Sequence, residues 1–459
     1  MPKPNILLIM TDQQRWDTVG AAGGWVKTPN MDRLAAEGIH FVNCVSNSPV
    51  CVPTRLSMAT GLYPHNTRVW NNTRHCMPSE TPTWMQAIRN EGYRTSLFGK
   101  THLHPHEGDL RDREDLMHAY GLDDVSEIGG PRASCRVKSH MTCEWEEKGL
   151  WDSYRDDFTE RFSNRPHVVR PSPLGLENYY DVYVGSKASE YIEGYSRDEP
   201  WFCWVSFGGP HEPWDTPEPF NTMYAPEEMP PPVLPESSSH PRPSGRLDEM
   251  SRVQFEPDEE LRLRADYAGS VTLIDDQIGR LLKTIEERDE LQNTVIALVS
   301  DHGEMNGDYG LIYKSNFLNG AVRVPLIVRT PETASGQNAG VVHHSFVEWF
   351  DVGPTLTECA GGNIKHEQFG RSLCPVIGDP NRVHRTDAIS ELSGEIMIIT
   401  DEWKLAINTA GEPYLLFDVQ NDPDERNNLA GLSHYREIES SLRLRILDRV
   451  MQSQTRLDK

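Results

Sequence analysis

A chain of 459 residues is too long for one small core, so its length predicts two domains, or one large domain with a smaller one attached. The net charge of -24 argues against nucleic acid or an anionic membrane as partner, and any anionic ligand must meet a local island of positive charge. Apolar content of 37% is ordinary for a packed soluble protein, and no apolar run reaches the length of a membrane span.

Apolar runs bounded by turn signals alternate with helical patterns along the chain, which predicts an α/β protein. Asn5–Met10 reads as a buried strand and Met31–Glu37 as a helix introduced by Thr28-Pro29-Asn30. Cys51-Val52-Pro53-Thr54-Arg55 reads as the first turn of another helix, because Pro53 loses nothing there and Arg55 lies one turn after Cys51 on the same face. The thiol would then sit at the positive end of a helix dipole, a place suited to anions. Thr95–Phe98 is a short predicted strand ending at Gly99-Lys100, and Trp201–Phe207 is another. A Pro/Ser-rich loop is expected between 226 and 256, then an amphipathic helix over Glu259–Arg288 and a continuous apolar strand at Thr294–Ser300. From about Gly370 the pattern changes to short strands at Glu395–Thr400, Trp403–Asn408 and Tyr414–Asp418, closed by a helix over Tyr435–Arg449.

Two polar motifs follow directly on predicted strands. Thr11-Asp12-Gln13-Gln14 follows the first, and Ser300-Asp301-His302-Gly303-Glu304 follows a later one. Ligands in open α/β sheets gather beyond the carboxyl ends of strands, so these motifs can meet. Asp12, Gln13 and Asp301 offer oxygens and His302 an imidazole, a set that favours Ca²⁺, with Mg²⁺ or Mn²⁺ behind it. Lys100 and His102, His211 and Lys314 occupy similar strand-end places and are candidates for the positive island. Eight cysteines show no CxxC pair and leave disulfides open. The opening residues hold only five consecutive apolar positions, too few for a signal-peptide core, so the expectation is a cytoplasmic protein.

Cys-x-Pro-x-Arg followed by Leu56-Ser57-Met58-Ala59-Thr60-Gly61-Leu62-Tyr63-Pro64 closely resembles the signature of the type I sulfatases of the alkaline phosphatase superfamily. Gly99-Lys100-Thr101-His102 and Pro210-His211-Glu212-Pro213 are similar to that family's Lys-x-His and Pro-His-x-Pro elements, and Lys314 follows the second metal motif in the family's order. The resemblance implies a large mixed sheet flanked by helices over 1–370 and a small C-terminal α+β domain on a short antiparallel sheet over 371–459. It implies that Cys51 is oxidised by a formylglycine-generating enzyme to formylglycine, and that Asp12, Gln13, Asp301, His302 and the residue at 51 hold one divalent cation. Gln13 departs from the aspartate that many members carry, which makes calcium less secure.

By the same resemblance the hydrated aldehyde attacks sulfur, with Asp301 as its base, and Arg55 holds and orients the hydrate and helps the metal site. Lys100 and Lys314 would grip the sulfate, His211 would protonate the departing alcohol, and His102 would take the proton that expels sulfate afterwards. The substrate class implied is a sulfate monoester of a sugar, aryl or alkyl alcohol. A phosphonate monoester or phosphodiester hydrolase on the same frame is the alternative, and a non-catalytic metal- and anion-binding protein a remoter one. Residues 109–180 fit no family motif and read as a variable insertion. Arg132, Arg136, Lys138 and His140 within it are candidates for gripping substrate, as are His104 and His106 at the cleft wall and Asp17 and Trp70-Asn71-Asn72 near it. Nothing in the sequence sets the oligomeric state, and a homo-oligomer is compatible with it.

Overall fold

The computed structural model describes residues 3–236 and 253–455. Eight strands build its main sheet: β1 (Asn5–Asp12), β2 (Ile39–Phe41), β3 (Arg94–Gly99), β4 (Asp124–Glu127), β5 (Trp201–Pro210), β6 (Thr294–Ser300), β7 (Leu326–Arg329) and β8 (Val341–His343). Their spatial order is β8-β2-β7-β6-β1-β5-β3-β4. β7 runs antiparallel to both neighbours, and the five strands from β6 to β4 are mutually parallel. The carboxyl ends of those five therefore share one edge, where Asp12, Lys100, Glu127, His211 and Asp301 stand at or just after the strand ends.

β1 shows why the strand reads as unbroken apolar sequence. Its pleat sends Ile6, Leu8 and Met10 to one face and Leu7 and Ile9 to the other, and both faces are covered. The first set packs with Leu56, Met58 and Trp84, and the second with α1 (Pro29–Glu37), α3 (Tyr180–Glu193) and α4 (Glu259–Glu287). Between α1 and α3 in sequence lies α2 (Cys51–Thr60), buried along its whole length and ended by Gly61 in the left-handed region. A Cβ on Gly61 would lie 2.7 Å from the Gln368 side chain, so both the turn and the close approach require glycine here.

The C-terminal strands form a separate antiparallel sheet in sequential order: β9 (Asp387–Leu392), β10 (Glu395–Thr400), β11 (Trp403–Ile407) and β12 (Pro413–Asp418). β9 was not among the predicted strands. One face packs Ile389, Ile398, Leu405 and Leu416 with Leu442 and Ile446 of α5 (Arg436–Gln452). The other face meets Met305, Phe317, Leu318 and Val322 of the large sheet's connections. A buried ionic clasp reinforces this junction: Arg385 lies 2.9 Å from Asp351 and 3.3 Å from Glu348, and Arg449 reaches Glu348 at 2.6 Å and the Tyr63 hydroxyl at 2.7 Å.

The predicted 226–256 loop has a short helical turn at Pro226–Glu228. Its centre, 237–252, lies outside the described residues. No helix among the described residues is long and apolar enough to cross a membrane.

Candidate active site

Cys51 is the first residue of α2, preceded by the extended Val50, and the next backbone N–H, from Val52, donates to Asn72 Oδ1 at 2.9 Å. Its Sγ lies 3.0 Å from His302 Nε2. The other ring nitrogen, Nδ1, lies 3.1 Å from the Gly303 carbonyl and donates to it, which aims Nε2 inward. Asp12 and Asp301 complete the group, and one ligand atom from each of Asp12, Cys51, Asp301 and His302 lies within 4.8 Å of the others. All four are fully buried, and Asp12 Oδ1 has no hydrogen-bond partner among the described residues. A buried carboxylate oxygen without a donor, aimed among an imidazole and a second carboxylate, fits a divalent cation.

Of the two tasks that the resemblance implies for Arg55, its contacts serve the metal site. Its Nε donates to Asp301 Oδ2 at 2.8 Å and Nη2 to Asp12 Oδ2 at 3.3 Å, while Nη1 donates to the Lys100 carbonyl at 2.7 Å and Ser206 Oγ at 3.1 Å. This fully buried fork spends its donors on the protein, so it positions the two carboxylates and leaves the side chain at 51 to other groups. Gln13 is likewise engaged. Its Nε2 donates to Glu212 Oε2 at 2.8 Å and to Glu304, and its Oε1 accepts from Lys314 Nζ. To reach a cation, that oxygen has to leave Lys314.

Lys100, His102, His211 and Lys314 all line one cleft of about 490 Å³ with Cys51 at its floor. Gly130 sits at φ +68° and a Cβ there would come within 2.8 Å of Lys100 Cδ, so glycine keeps the lysine's channel open. Lys100 Nζ donates to Asp12. Burial pushes the Cys51 thiol up, but Lys314, Lys100 and His302 outweigh it and hold the thiol well below its ordinary value. The cleft floor thus favours negative charge. Burial, with Lys100 and His106, holds His102 well below the ordinary imidazole value, so it stands neutral and can accept a proton. Gln13, His102, Tyr313 and Ser315 all have positive φ, and strained non-glycine backbone clusters around this floor.

The insertion brings only part of its predicted set to the cleft. Arg132 and Arg136 line it, and Arg132 pairs with Glu212 beneath the rings of Phe162 and Tyr313, at 4.8 and 5.1 Å. Lys138 and His140 do not reach it. Lys138 is exposed and pairs with Glu146 at 3.0 Å, and His140 with Glu114 at 3.3 Å, because the helix that Ser139 caps buries Met141 and Thr142 and leaves His140 outside. Asp17 is also elsewhere, held by Arg15 at 2.8 Å. Asn71 and Asn72 line the cleft, whereas Trp70 does not.

Three buried acids escaped the sequence reading. Glu212 is held down to about 2 despite burial, chiefly by Arg132, while burial and the neighbouring Glu212 push Glu304 up to about 7. Glu127 closes β4 behind His104 and His106. All three belong to the strand-end edge, the signal that could have found them.

The fold and this floor define a metal-dependent hydrolase centre of the alkaline phosphatase type. The sulfatase family model matches residues 4–362, and a model of the N-sulphoglucosamine sulphohydrolase C-terminal region matches residues 307–452. The chain belongs to the sulfatase family, and its class is sulfuric ester hydrolase. An arylsulfatase of Clostridium perfringens is 29% identical over 95% of this chain and 92% of its own. PehA of Trinickia caryophylli, a multifunctional alkaline phosphatase superfamily protein, is 28% identical over 94% of this chain and 92% of its own. The phosphonate monoester hydrolase of Agrobacterium radiobacter superposes with a TM-score of 0.78 at 24% identity, covering 98% of this chain and 96% of that one, a likeness of fold. Family membership implies a divalent metal and a formylglycine made from cysteine.

Proposed function

We propose that this sulfatase cleaves sulfate monoesters of small alcohols or short saccharides at the floor of the Cys51 cleft. The observation that carries the reading is the convergence of Lys100, His102, His211 and Lys314 on the one residue that also touches the Asp12–Asp301–His302 group. Those three residues would hold Ca²⁺, with Gln13 joining once Lys314 turns to substrate, and the cation would supply charge stabilisation to the sulfate oxygens. Formylglycine made from Cys51 by a formylglycine-generating enzyme would supply the nucleophile.

The remaining roles fall to the chain's own groups. Lys100 and Lys314 face the sulfate oxygens as fixed cations, which matters most where negative charge builds up in the transition state. His211 Nδ1 lies 2.9 Å from the Glu212 carbonyl and donates to it, so His211 acts as acid toward the leaving oxygen in its imidazolium form, from the second proton on Nε2. Neutral His102 accepts the proton whose removal clears sulfate from position 51. Arg132 and Arg136, on the insertion, meet the alcohol portion of the substrate.

The test has two arms. The tryptic peptide Leu34–Arg55 carries both Cys44 and Cys51, so alkylation of Cys44 serves as its internal control. Formylglycine leaves position 51 about 18 Da lighter than cysteine and unalkylated. Sulfate and phosphonate monoesters are then compared at equal concentration on the mature enzyme. Faster turnover of phosphonates, or two alkylated cysteines in protein from its native host, refutes the proposal.

A further inference from the structure

His104 and His106 share one loop and Glu127 ends a later strand, yet one ligand atom from each falls within 4.8 Å of the other two, and all three are buried. His104 Nε2 is 2.8 Å from Glu127 Oε2, and His106 Nε2 is 3.1 Å from Glu127 Oε1. The other nitrogen of each ring is committed. His104 Nδ1 lies 3.0 Å from the Pro105 carbonyl and His106 Nδ1 3.2 Å from the Gly129 carbonyl. A carbonyl oxygen only accepts, so each Nδ1 carries a proton and donates it. In a neutral imidazole the lone pair is then on Nε2, facing a carboxylate that also only accepts.

A second proton resolves that conflict at His104, whose Nε2 then donates to Glu127, but His106 forbids it. Its Nε2 accepts the backbone N–H of His102 at 3.3 Å, which requires a lone pair at that nitrogen. The His106 lone pair and the Glu127 oxygen thus converge with nothing between them, and 3.1 Å leaves no room for a bridging water. A cation removes the conflict that remains at His106 and takes the place of the second proton at His104. Its ligand bonds of about 2 Å to nitrogen and oxygen allow the separations observed.

We propose that His104, His106 and Glu127 form a second metal site, in the inner wall of the catalytic cleft, that takes Zn²⁺. Two imidazoles and one carboxylate are a borderline set that prefers zinc to the hard calcium-type cation suited to Asp12 and Asp301. The surroundings suit ligation: both rings are oriented by backbone carbonyls, and Thr101 Oγ1 donates to Glu127 Oε1. Both histidines line the cleft, which gives the ion a way in. The site ties the 101–106 loop to the end of β4. Its role is to fix the backbone that carries His102, whose ring lies 4.5 Å from that of His106.

The experiment reads metal and not turnover, so it stands or falls separately from the sulfatase proposal. Full-length protein saturated with Ca²⁺ is titrated with Zn²⁺, desalted, and analysed by mass spectrometry of its metals and zinc-edge X-ray absorption. The expected result is one zinc per chain with two imidazole ligands. The catalytic group offers only one imidazole, so a single-imidazole spectrum overturns the proposal, as does failure to retain zinc. His104→Ala and Glu127→Gln, where they fold as judged by circular dichroism, are expected to lose that zinc while keeping calcium. Unchanged zinc in either folded variant also overturns it. Should neither variant fold, the wild-type imidazole count decides alone.

Discussion

Replacing Arg55 by methionine tests the assignment of its guanidinium to the carboxylates. Methionine keeps most of the aliphatic volume, so the loss is one of charge and hydrogen bonds and not of packing. Four donor contacts disappear, two of them to Asp12 and Asp301. Breaking a buried pair costs about 3–5 kcal/mol because the partner is left charged and uncompensated. Asp12 keeps Lys100, and Asp301 Oδ1 keeps the backbone N–H groups of Gln13 and His302 at 3.0 and 2.9 Å, so the low end, about 3 kcal/mol, applies. An unfolding entropy of about 2.1 cal/mol/K per residue makes 1 kcal/mol worth roughly 1 °C in a chain of 459 residues. Calorimetry in chelator at pH 7 should therefore show a fall of about 3 °C in Tm. Added Ca²⁺ should raise the variant's Tm by more than the wild type's, because the cation replaces the missing countercharge. Arg55→Lys restores charge without the fork and is expected to fall between. A variant that melts within about half a degree of wild type in chelator would refute the positioning role.

Other expectations follow from the same geometry. Cys51→Ser should abolish turnover and trap a sulfated serine detectable by intact mass, since serine can be sulfated yet cannot release sulfate as an aldehyde hydrate does; a normal steady-state rate would overturn the mechanism. Arg132→Ala should raise KM on sulfated saccharides at least several-fold, while Lys138→Ala and His140→Ala leave kcat and KM unchanged within error; the reverse pattern would mean that the insertion presents its other face to substrate. Burial and the nearby Asp215 push Asp266 up to about 7, so the native state keeps a proton that the unfolded chain releases from about pH 4. Stability is lost as pH rises through that window, and Asp266→Asn should remove a slope worth about 4 kcal/mol, seen as a higher midpoint than wild type in urea at pH 8 and parity near pH 4. Parallel pH profiles for the two proteins would show that Asp266 does not carry the proton.

What the sequence disclosed and what it hid share one physical cause. β1, β5 and β6 are covered on both faces, so they appear as continuous apolar runs, and the polar residues that end those runs stand out. Asp12, Asp301 and His211 were legible for that reason, and their meeting followed from strand ends in a parallel sheet. β4 is an edge strand of four residues, Asp124-Val125-Ser126-Glu127, with one apolar side chain. It leaves no run to detect, so Glu127 passed unnoticed. Glu212 was hidden differently: its neighbour His211 carried the motif, while its own importance depends on Arg132, eighty residues earlier in the chain.

Lys138 and His140 mark the opposite error. A cationic stretch does not say which of its side chains face the cleft, and here Met141 and Thr142 take the buried positions while Lys138 and His140 stay outside. Arg55 is the subtler case. Its place beside the nucleophile and the metal site was legible, but not which buried groups its fork would meet. In the folded chain the guanidinium donates to Asp301 and Asp12, two carboxylates with no exposure, and a buried carboxylate without its partner is costly. The metal floor therefore needs its arginine even before substrate arrives.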